Sequence, residues 1–527
     1  MSETESYTRK PEALTWVGQV LRFAETRPTD IGITFGSSSV TWSALAERIR
    51  RAAAALAHRG VSHGDRVAVL TTNCVEHVEA VLGTQLLGAI AVPMNPRLAV
   101  DEVEFIVDNC SAAVIVVEKP LAHLTDPLVS AGTVERLIVD RGAPAPAPAD
   151  IDADQNYDAA LAAAVPFAGE STNDMNDIAF IMYTSGTTGR PKGSILTFGN
   201  LVASTFFYVH AVKLVYDNEV TLVTAPLFHT AGFGMLMPNL LLGYRSVILP
   251  SGNFSADTFL DIAEAEAVTN TWLLASQWQQ ICDSPTLAER NLRFRRISWG
   301  AAPATHANLR AMEAAFPNTE IYCFFGQTEM SPSTTSLLGK DSARKLGSVG
   351  TPLPHVSIRV VDAAMNDVQI GEVGEIVYRA PTATAGYWNA PDATAAAFDG
   401  GWFHSGDLVK QDDEGYVYVV DRLKDMIITG GENVYCAEVE NVLADHPGVR
   451  DVAVVGAPDE RWGETPVAFV VPADPTAPPT EDELIAHAKQ HLASYKKPSR
   501  VVVVDLLPRN SAGKIVKPSL RARLSTR

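Results

Sequence analysis

Cysteine is scarce in this sequence of 527 residues, and the few cysteines lie far apart. They form no pair with the spacing of metal ligands, and their odd number argues against a disulfide framework. We therefore expect reduced thiols, which are usual in the cytosol. The residues are Cys74, Cys110, Cys282, Cys323 and Cys436.

Long apolar runs are missing as well. No segment approaches the roughly 20 consecutive apolar residues that a membrane-spanning helix needs. Residues 1–10 are polar, and no apolar stretch of the kind found in secretory signals follows them. We expect a cytoplasmic protein that is at most peripheral to a membrane.

The chain also lacks an excess of positive charge. It contains 42 lysine and arginine residues against 61 aspartate and glutamate residues, which gives a net charge of −19. This balance disfavours broad contact with nucleic acid or anionic lipid, although a local basic pocket is compatible with it. We expect small-molecule partners and no nucleic acid.

The rest of the composition is typical of globular proteins. Hydrophobic residues make up 46%, charged residues 20% and aromatic residues 8%, which excludes collagen-like, coiled-coil and wholly disordered chains. At about 150 residues per domain, the length corresponds to three or four domain-sized units. A large buried core is expected.

Helical and strand patterns alternate in the first part of the chain. Apolar positions recur at helical spacing in residues 42–59, behind the turn-prone serines at 37–39, and the apolar run at 66–70 predicts a buried strand. The order recurs twice, in helices at 75–87 and 102–109 and the strands that follow them at 89–93 and 113–117. This rhythm predicts an α/β fold with buried, largely parallel strands.

The end of the chain has a different pattern. A strand predicted at 415–420 ends in the charged residues 421–425, and short helices and strands follow. We predict a large N-terminal domain of layered α/β subdomains, residues 1–423, and a small mobile α+β C-terminal domain, residues 424–527. Alternating proline and alanine at 143–149 predict a stiff surface connection within the large domain.

The most informative stretch is residues 183–193, YTSGTTGRPKG, which follow an apolar strand pattern. Glycines let backbone N–H groups approach a phosphate, hydroxyls donate to its oxygens, and a lysine offsets its charge. A polyphosphate-binding loop is therefore predicted. The Gly-Lys-Ser/Thr ending of the Walker loop is missing, which excludes GTPases and kinases that use it.

Together with eight further blocks, this loop resembles the adenylate-forming superfamily of acyl-CoA synthetases, luciferases and peptide-synthetase adenylation domains. The blocks occur in the family's order, and the resemblance covers nearly the whole chain. They are PLFH at 226–229, GAAP at 300–303, FGQTE at 325–329, GEVGE at 371–375, GWFHSGD at 401–407, DRLKD at 421–425, GGEN at 430–433 and PRNSAGKI at 508–515. The resemblance implies an enzyme that uses ATP, Mg²⁺ and coenzyme A.

An ATP site is implied by these blocks. The ring of Phe325 would lie against adenine, Asp407 would accept hydrogen bonds from both ribose hydroxyls, and Arg422 would support the ribose. Small residues beside the base would allow close backbone approach. The ATP-binding residues implied are Thr184, Ser185, Gly186, Thr187, Thr188, Gly189, Lys192, Gly300, Ala301, Ala302, Phe325, Gly326, Gln327, Thr328, Asp407, Arg422 and Lys514.

The same resemblance implies a catalytic set. Thr328 would donate to the α-phosphate, and Glu329 would bind Mg²⁺, for which a carboxylate is a suitable hard ligand. Lys514 would lie between the acid's carboxylate and the phosphorus, where a cation offsets the repulsion between them. Lys192 and His229 complete the implied set.

A second arrangement of the small domain is implied for the thiol step. Lys424 occupies the family's hinge position, about which the small domain would rotate. Gly430 and Gly431 would then line a tunnel for the pantetheine arm of coenzyme A. Trp462 would approach the site, or else it is a partly buried core aromatic. Cys436 stands where many relatives carry proline, which leaves the rigidity of this loop open.

The implied reaction joins a carboxylic acid to coenzyme A. ATP converts the acid into acyl-AMP with release of pyrophosphate, and the thiol then attacks the acyl carbonyl with release of AMP. His229 stands where amino-acid-activating domains tend to place an aspartate, so amino acids are disfavoured. The apolar residues 230–237 supply no cation for a second carboxylate, which favours a hydrophobic acyl chain.

The blocks look most like those of bacterial fatty-acyl-CoA ligases, so a medium- or long-chain fatty acid is the predicted substrate. His229, Phe233 and Gly300 would line the acyl pocket, with Phe233 either a gate to a tunnel or plain core. The alternatives are an aryl-CoA ligase, a fatty-acyl-AMP ligase that loads a carrier protein, and a non-catalytic nucleotide-binding module. Peripheral membrane contact for acyl delivery and a homodimer are compatible with this interpretation.

Overall fold

The computed structural model describes residues 15–142, 153–184, 190–214, 218–301, 304–430, 432–459, 461–509 and 515–524. The α-helices are Trp16–Thr26 (α1), Trp42–His58 (α2), Val75–Leu86 (α3), Val100–Cys110 (α4), Asp126–Ser130 (α5), Tyr157–Ala163 (α6), Phe198–Val212 (α7), Thr230–Leu242 (α8), Ala256–Ala265 (α9), Ala275–Cys282 (α10), His306–Ala315 (α11), Pro391–Ala397 (α12), Cys436–Ala444 (α13), Glu481–His491 (α14) and Lys517–Leu524 (α15). Short 3₁₀ turns include Thr328–Met330.

The strands fall into four sheets. In chain order they are Ile31–Phe35 (β1), Ser38–Thr41 (β2), Arg66–Leu70 (β3), Ile90–Pro93 (β4), Ala112–Glu118 (β5), Glu135–Val139 (β6), Ile178–Thr184 (β7), Lys192–Thr197 (β8), Val220–Val223 (β9), Arg245–Ile248 (β10), Asn270–Leu273 (β11), Arg296–Gly300 (β12), Glu320–Phe325 (β13), Thr335–Leu337 (β14), Thr351–Pro352 (β15), Ser357–Val361 (β16), Gly374–Arg379 (β17), Phe403–Gln411 (β18), Val417–Arg422 (β19), Ile427–Thr429 (β20), Glu432–Val434 (β21), Val449–Asp459 (β22), Gly463–Pro472 (β23) and Arg500–Val503 (β24).

The first sheet confirms the helix–strand rhythm of the sequence. Its order is β6–β5–β3–β4–β7–β8, parallel from β6 to β7 and antiparallel at β8. Side chains of β3 alternate between two apolar clusters, since Val67 and Val69 lie in one, and Ala68 and Leu70 in the other. Successive residues of a strand point to opposite faces. The sheet is therefore buried on both faces, as its continuous apolar strands predict.

The second sheet shares its core with the first. Its order is β15–β14–β13–β12–β11–β9–β10–β1–β2, parallel from β13 to β1 and antiparallel at both edges. Helix α8 lies within this core, because its Phe233 and Leu236 belong to the same apolar cluster as Val67 of β3 and Val223 of β9. A helix that is apolar on all sides is typical of such burial.

The third sheet, β16–β17–β18–β19, is wholly antiparallel. The prediction of largely parallel strands is wrong here, because successive strands are direct neighbours, and parallel pairing of neighbours would need a crossover. Its last strand ends at Arg422. The small C-terminal domain follows with the sheet β21–β20–β23–β22, to which β24 adds beside β23, and with helices α13 to α15.

Of the turn-prone serines at 37–39, Ser37 lies in a turn, whereas Ser38 and Ser39 lie in a strand. Ser38 begins β2, which pairs antiparallel with β1, and Gly36 makes the turn with a φ of 58°. Glycine adopts this left-handed conformation without the steric strain of a side chain. The tight hairpin therefore places the turn at Gly36 and Ser37 and gives Ser38 and Ser39 extended backbone.

Two features of the chain bear on its surroundings. All the cysteines are free thiols, and Cys282 is the one that is not fully buried. In the part of the chain that the structure describes, no helix combines the length and the apolar character needed to cross a bilayer.

A buried ion pair fixes the start of β12. Arg296 Nη2 lies 2.7 Å from Glu219 Oε1, and the two side chains are 2% and 0% exposed. Thr269 also donates to the same carboxylate. Removing one partner of a buried pair leaves an uncompensated charge and typically costs about 3–5 kcal/mol.

We expect Glu219→Gln to lower the free energy of unfolding by about 3–5 kcal/mol, since the Arg296 guanidinium would stay buried without its counter-charge. Denaturant unfolding measures the loss. Glu47→Gln is the matched control, because its ion pair with Arg51 lies at the surface, with side chains 49% and 30% exposed, and exposed pairs contribute at most about 1 kcal/mol. Equal losses in the two variants would contradict this account.

Candidate active site

Three predicted site residues of the large domain lie at the ends of strands. Thr184 ends β7, Gly300 ends β12 and Phe325 ends β13. Strands β12 and β13 are parallel neighbours, so both present their carboxyl ends at the same edge. Ligands of open α/β sheets bind in the crevice at this edge.

The strands around the predicted phosphate loop are firmly held. Thr184 Oγ1 donates to the Lys192 carbonyl at 3.5 Å, and the two residues are register partners across β7 and β8. Tyr183 donates its hydroxyl to Asn109 Oδ1 at 2.6 Å. The ends of the loop are therefore fixed, while the predicted residues between them lie outside the described residues: Ser185, Gly186, Thr187, Thr188 and Gly189.

Gly300 is required by the close approach of two strands. A Cβ atom at this position would lie 2.2 Å from the Phe324 carbonyl oxygen. Ala301 follows with a φ of 62°, a left-handed conformation that is uncommon for alanine. Ala302 lies outside the described residues. The tight packing explains why this part of the predicted adenine wall has small side chains.

The segment after β13 forms a 3₁₀ turn that presents polar side chains. Thr328 is 9% exposed, and its Oγ1 lies 3.3 Å from Thr230 Oγ1 at the start of α8. The Nε2 atom of Gln327 is buried and has no hydrogen-bond partner among the described residues. Buried donors are normally paired. The amide of Gln327 is thus available to a ligand.

Glu329 and Lys192 meet at one aromatic side chain. Tyr387 donates its hydroxyl to Glu329 Oε1 at 3.0 Å, and Lys192 Nζ lies 5.3 Å from the centre of the same ring. Burial, together with the negative charge of Glu329, raises the pKa of Tyr387. The phenol therefore keeps its proton and donates a hydrogen bond to the carboxylate.

Asp407 and Arg422 form a second charged group, on the third sheet. They are cross-strand partners in β18 and β19, with Arg422 Nε 3.2 Å from Asp407 Oδ1. Asp407 is 4% exposed. Tyr378 is buried nearby, and burial, with the charge of Asp407, raises its pKa. A carboxylate that lies beside a guanidinium can also accept hydrogen bonds from a ligand.

Helix α8 begins at the site and continues into the core. His229 caps it, and its Nδ1 accepts a hydrogen bond from the Ala231 N–H at 3.3 Å. Phe233, one turn further, is 1% exposed, and its ring lies 4.8 Å from the ring of Phe180. Of the two alternatives for Phe233, its position here is the core. The apolar run at 230–237 thus reflects burial between two sheets as well as any pocket.

The predicted coenzyme A residues Gly430 and Trp462 lie together. The Gly430 N–H donates to the Trp462 carbonyl at 2.8 Å, and a Cβ at Gly430 would lie 2.8 Å from the indole. Trp462 is 47% exposed, so it is not a core aromatic. Gly431 and Lys514 lie outside the described residues.

The hinge prediction falls on a short connection between sheets. Lys424 lies between β19 and β20. Cys436 begins α13 and donates its N–H to Asp421 Oδ2 and its thiol to the Asp425 carbonyl. Proline has no N–H to donate. The cysteine therefore adds a hydrogen bond across this connection that a proline at the same position would lack.

Three residues near the site were not found from the sequence. Thr230 directly follows His229, Tyr378 lies inside a strand pattern, and Tyr387 ends the stretch TATAGY at residues 382–387. A tyrosine after glycine in a hydroxyl-rich loop could have marked it as a candidate site residue. Its partners Glu329 and Lys192, however, lie far from it in sequence. Tertiary structure was needed to find it.

The described side chains fit a nucleotide whose phosphates carry Mg²⁺. Glu329 uses Oε1 to accept from Tyr387, and no described residue donates to its Oε2. A carboxylate oxygen is a preferred ligand of Mg²⁺, which also binds substrate phosphates. Lys192 supplies positive charge, and Thr328 and Gln327 supply donors. This donor set matches the ATP site that the sequence predicts.

Comparison with known proteins gives a consistent result. The family model described as AMP-binding enzyme matches residues 20–388, and the model of the AMP-binding enzyme C-terminal domain matches residues 438–514. A feruloyl-CoA synthase from Amycolatopsis sp is 38% identical over 95% of this chain and 98% of its own. A long-chain-fatty-acid–CoA ligase from Mycobacterium tuberculosis is 36% identical over 94% of both chains.

A solved structure extends the likeness to the fold. The o-succinylbenzoate coenzyme A synthetase of Bacillus subtilis, in complex with ATP and a magnesium ion, has a TM-score of 0.83 and 30% sequence identity. The match covers 96% of this chain and 99% of that one. Both domains of the fold are therefore represented in the comparison.

We expect Gly300→Ala to destabilise the protein by about 1–3 kcal/mol, as overpacking of a tight contact does. The added methyl group would press on the Phe324 carbonyl and shift the end of β13, so ATP binding should weaken too. Denaturant unfolding and calorimetric titration with ATP measure the two effects. Gly252→Ala is the control, because nothing lies within 4 Å of its added Cβ. If both variants unfold alike, the close approach does not require glycine.

Proposed function

The chain belongs to the AMP-binding enzyme family, and we propose that it joins a hydrophobic monocarboxylic acid to coenzyme A. It is an ATP-dependent, AMP-forming acyl- or aryl-CoA ligase that uses Mg²⁺. The observation that carries the proposal is the meeting of Glu329 and Lys192 at Tyr387, beside the hydroxyl of Thr328. These groups supply a metal ligand, a cation and a phosphate donor at one place.

Two bond exchanges make up the reaction. In the first, a carboxylate oxygen of the acid attacks the α-phosphorus of ATP, and pyrophosphate leaves with the electrons of the broken P–O bond. In the second, the sulfur of coenzyme A attacks the acyl carbonyl, and AMP leaves while the thiol proton is lost. Negative charge grows on the α-phosphate in the first step, where preorganised donors act most strongly.

The large domain would hold the nucleotide at three points. The loop between β7 and β8 and Lys192 would contact the phosphates, and Mg²⁺ on Glu329 would neutralise part of their charge when bound. Phe325, at the end of β13, would lie against the adenine. Asp407 would accept hydrogen bonds from the ribose hydroxyls, since its carboxylate is buried and lies 3.2 Å from Arg422 Nε.

The small domain would serve both half-reactions. Lys514 would offset the repulsion between the acid's carboxylate and ATP in the first orientation. Rotation about Lys424 would then bring Gly430, Gly431 and Trp462 to the pantetheine arm in the second. The contact between Gly430 and Trp462 supports this, because the indole lies against a glycine that leaves no room for a side chain.

A medium- or long-chain fatty acid is the first candidate substrate. Beyond His229, helix α8 contains no cation to bind a second carboxylate, and its side chains are apolar except for Thr230 and Asn239. Met235 lies on the same helix, and its sulfur lies 3.9 Å from the hydroxyl of Thr224, which follows β9. The likeness to the mycobacterial long-chain-fatty-acid–CoA ligase supports this candidate.

An aromatic acid is the second candidate, and the position of Phe233 favours it. This ring packs against Phe180 in the core, where opening a tunnel would break an aromatic contact. A compact acid would need no tunnel past it. The likeness to the feruloyl-CoA synthase supports this candidate as much as the mycobacterial likeness supports the first.

We expect pyrophosphate release from ATP only when Mg²⁺ and a hydrophobic monocarboxylic acid are both present. A coupled pyrophosphate assay over straight-chain acids of increasing length, substituted cinnamates, benzoates, dicarboxylic acids and amino acids measures it, with and without coenzyme A. Formation of the acyl-CoA, followed by mass spectrometry, identifies the preferred acid. Turnover with the thiol present should greatly exceed turnover without it.

The same panel separates the alternatives. Best activity with an amino acid or a dicarboxylic acid would overturn the pocket argument, and release of orthophosphate would overturn adenylation. Acyl-AMP that accumulates unchanged in the presence of coenzyme A would favour a ligase that loads a carrier protein.

We expect Lys514→Ala and Gly431→Leu to affect different half-reactions. The first removes a charge that stabilises adenylation, so that step should slow by at least the roughly 10²–10³-fold typical of one preorganised contact. The second places a side chain where the pantetheine arm would pass, so thioester formation from supplied acyl-AMP should slow instead. Single-turnover assays of each half-reaction decide the matter. Equal slowing of both steps in both variants would favour one fixed orientation of the small domain.

A further inference from the structure

Residues 382–388, which we call the bridging segment, connect two parts of the site. The segment pairs with β8 through backbone hydrogen bonds: the Ile195 N–H donates to the Gly386 carbonyl at 2.9 Å, and the Trp388 N–H donates to the Gly193 carbonyl at 2.8 Å. Strand β8 begins with Lys192. The segment is therefore fixed to the strand that carries this cation.

The same segment also holds the turn that carries Glu329. The Thr384 N–H donates to the Glu329 carbonyl at 2.7 Å, and Ser331 donates its hydroxyl to the Thr382 carbonyl at 2.8 Å. The first bond holds the backbone of the turn at Glu329 itself, and the second holds the residue that follows the turn through the side chain of Ser331. They place the Cα of Glu329, but they leave the rotation of its carboxylate undetermined.

Tyr387 is the residue of this segment that reaches the two side chains. Its hydroxyl donates to Glu329 Oε1 at 3.0 Å, and its ring lies 5.3 Å from Lys192 Nζ. Its own position is set by the backbone, since its N–H donates to Thr394 Oγ1 at 2.9 Å and it bridges to Ser194. The phenol is thus a rigid arm between a carboxylate and an ammonium group.

We propose that Tyr387 is a positioning residue that turns the carboxylate of Glu329 so that Oε2 faces the Mg²⁺ bound with ATP. The proposal rests on the proposed function. One carboxylate oxygen is occupied by the phenol, and no described residue donates to the other. Partners of this kind, which orient a metal ligand without touching the metal, typically change metal affinity or activity by roughly 10–100-fold when removed.

The ring makes a separate contribution through Lys192. An aromatic face within about 6 Å of an ammonium group attracts it, and a ring that is held by the backbone limits where the flexible lysine can lie. Two variants separate the contribution of the hydroxyl from that of the ring. Tyr387→Phe loses the hydroxyl alone, and Tyr387→Leu loses both contacts.

The experiment measures how Mg²⁺ strengthens ATP binding. Thermal unfolding midpoints are recorded for the full chain alone, with ATP in EDTA, and with ATP over a titration of Mg²⁺. A ligand that binds only the native state stabilises it by RT ln(1 + [L]/Kd), where [L] is the free ligand concentration, and so raises the midpoint. Acid-dependent exchange of labelled pyrophosphate into ATP is followed over the same titration.

We expect Tyr387→Phe to unfold like the wild type when alone and with ATP in EDTA, but to need roughly 10–100-fold more Mg²⁺ for half of its effect. Tyr387→Leu should in addition lose part of the stabilisation by metal-free ATP, since Lys192 loses its ring. Tyr322→Phe is the matched control, because it removes a hydroxyl that donates to Glu320 at 2.6 Å, at the other end of β13. Its Mg²⁺ titration should equal that of the wild type.

A second comparison tests whether the phenol acts through Glu329. If it does, Glu329→Gln and the double variant Glu329→Gln with Tyr387→Phe should titrate alike, because the second change has nothing left to position. This comparison stays decisive even if Tyr387→Phe alone unfolds at a lower temperature.

The outcomes are distinct. An unchanged Mg²⁺ titration in Tyr387→Phe would overturn the positioning role. Weakening of ATP binding by the same factor with and without the metal would also overturn it. A wild type that exchanges pyrophosphate only with Mg²⁺ and an acid supports the proposed function whichever way Tyr387 behaves. A wild type that exchanges no pyrophosphate even with Mg²⁺ and an acid would overturn the proposed function itself.

Discussion

The antiparallel hydrogen bonds between the bridging segment and β8 are the constraint on which the candidate site depends. They fix one stretch of chain against the strand that leaves the phosphate loop, and bonds from the same stretch reach the turn after β13. Tyr387 and Glu329, 58 positions apart in sequence, meet as a consequence. Since backbone bonds of a sheet resist displacement more than side-chain contacts do, the charged groups of the site rest on a rigid support.

Close packing at the strand ends adds to this rigidity. Gly300 lets β12 and β13 approach so closely that a Cβ there would lie 2.2 Å from the Phe324 carbonyl oxygen. A Cβ at Gly326 would lie equally close to the Pro332 carbonyl oxygen. The polar turn that begins at Gln327 therefore has little freedom to move. Groups that packing already holds in place can position a substrate without first having to be ordered themselves.

Burial explains why the acid substrate is harder to infer than the chemistry. Helix α8 lies between two sheets, so its apolar residues would be required whatever the substrate. Gly232 is likewise set by packing, since a Cβ there would lie 2.2 Å from the Pro226 carbonyl. The apolar run of α8 therefore does not distinguish a fatty acid from an aromatic acid, because packing alone accounts for it.

The sequence by itself determined the α/β rhythm, the two-domain order and the blocks that resemble the adenylate-forming enzymes. Apolar periodicity indicates which face of a local helix or strand is buried, and a motif block indicates a loop conformation and chemical groups that neighbouring residues supply. Both signals can therefore be read along the chain. The confirmed strands of the first sheet, such as β3 and β5, are of this kind.

Tertiary structure decided everything that depends on which distant residues meet. It made the third sheet antiparallel, placed Phe233 in the core against Phe180, and put the phenol of Tyr387 on Glu329. An apolar residue looks the same in the sequence whether it lies in a core or in a pocket, and a tyrosine looks the same whether it lies on a surface or beside a carboxylate of the candidate site. Only the packing of the sheets fixes the partner, because contacts between elements depend on their positions in space rather than on their separation along the chain.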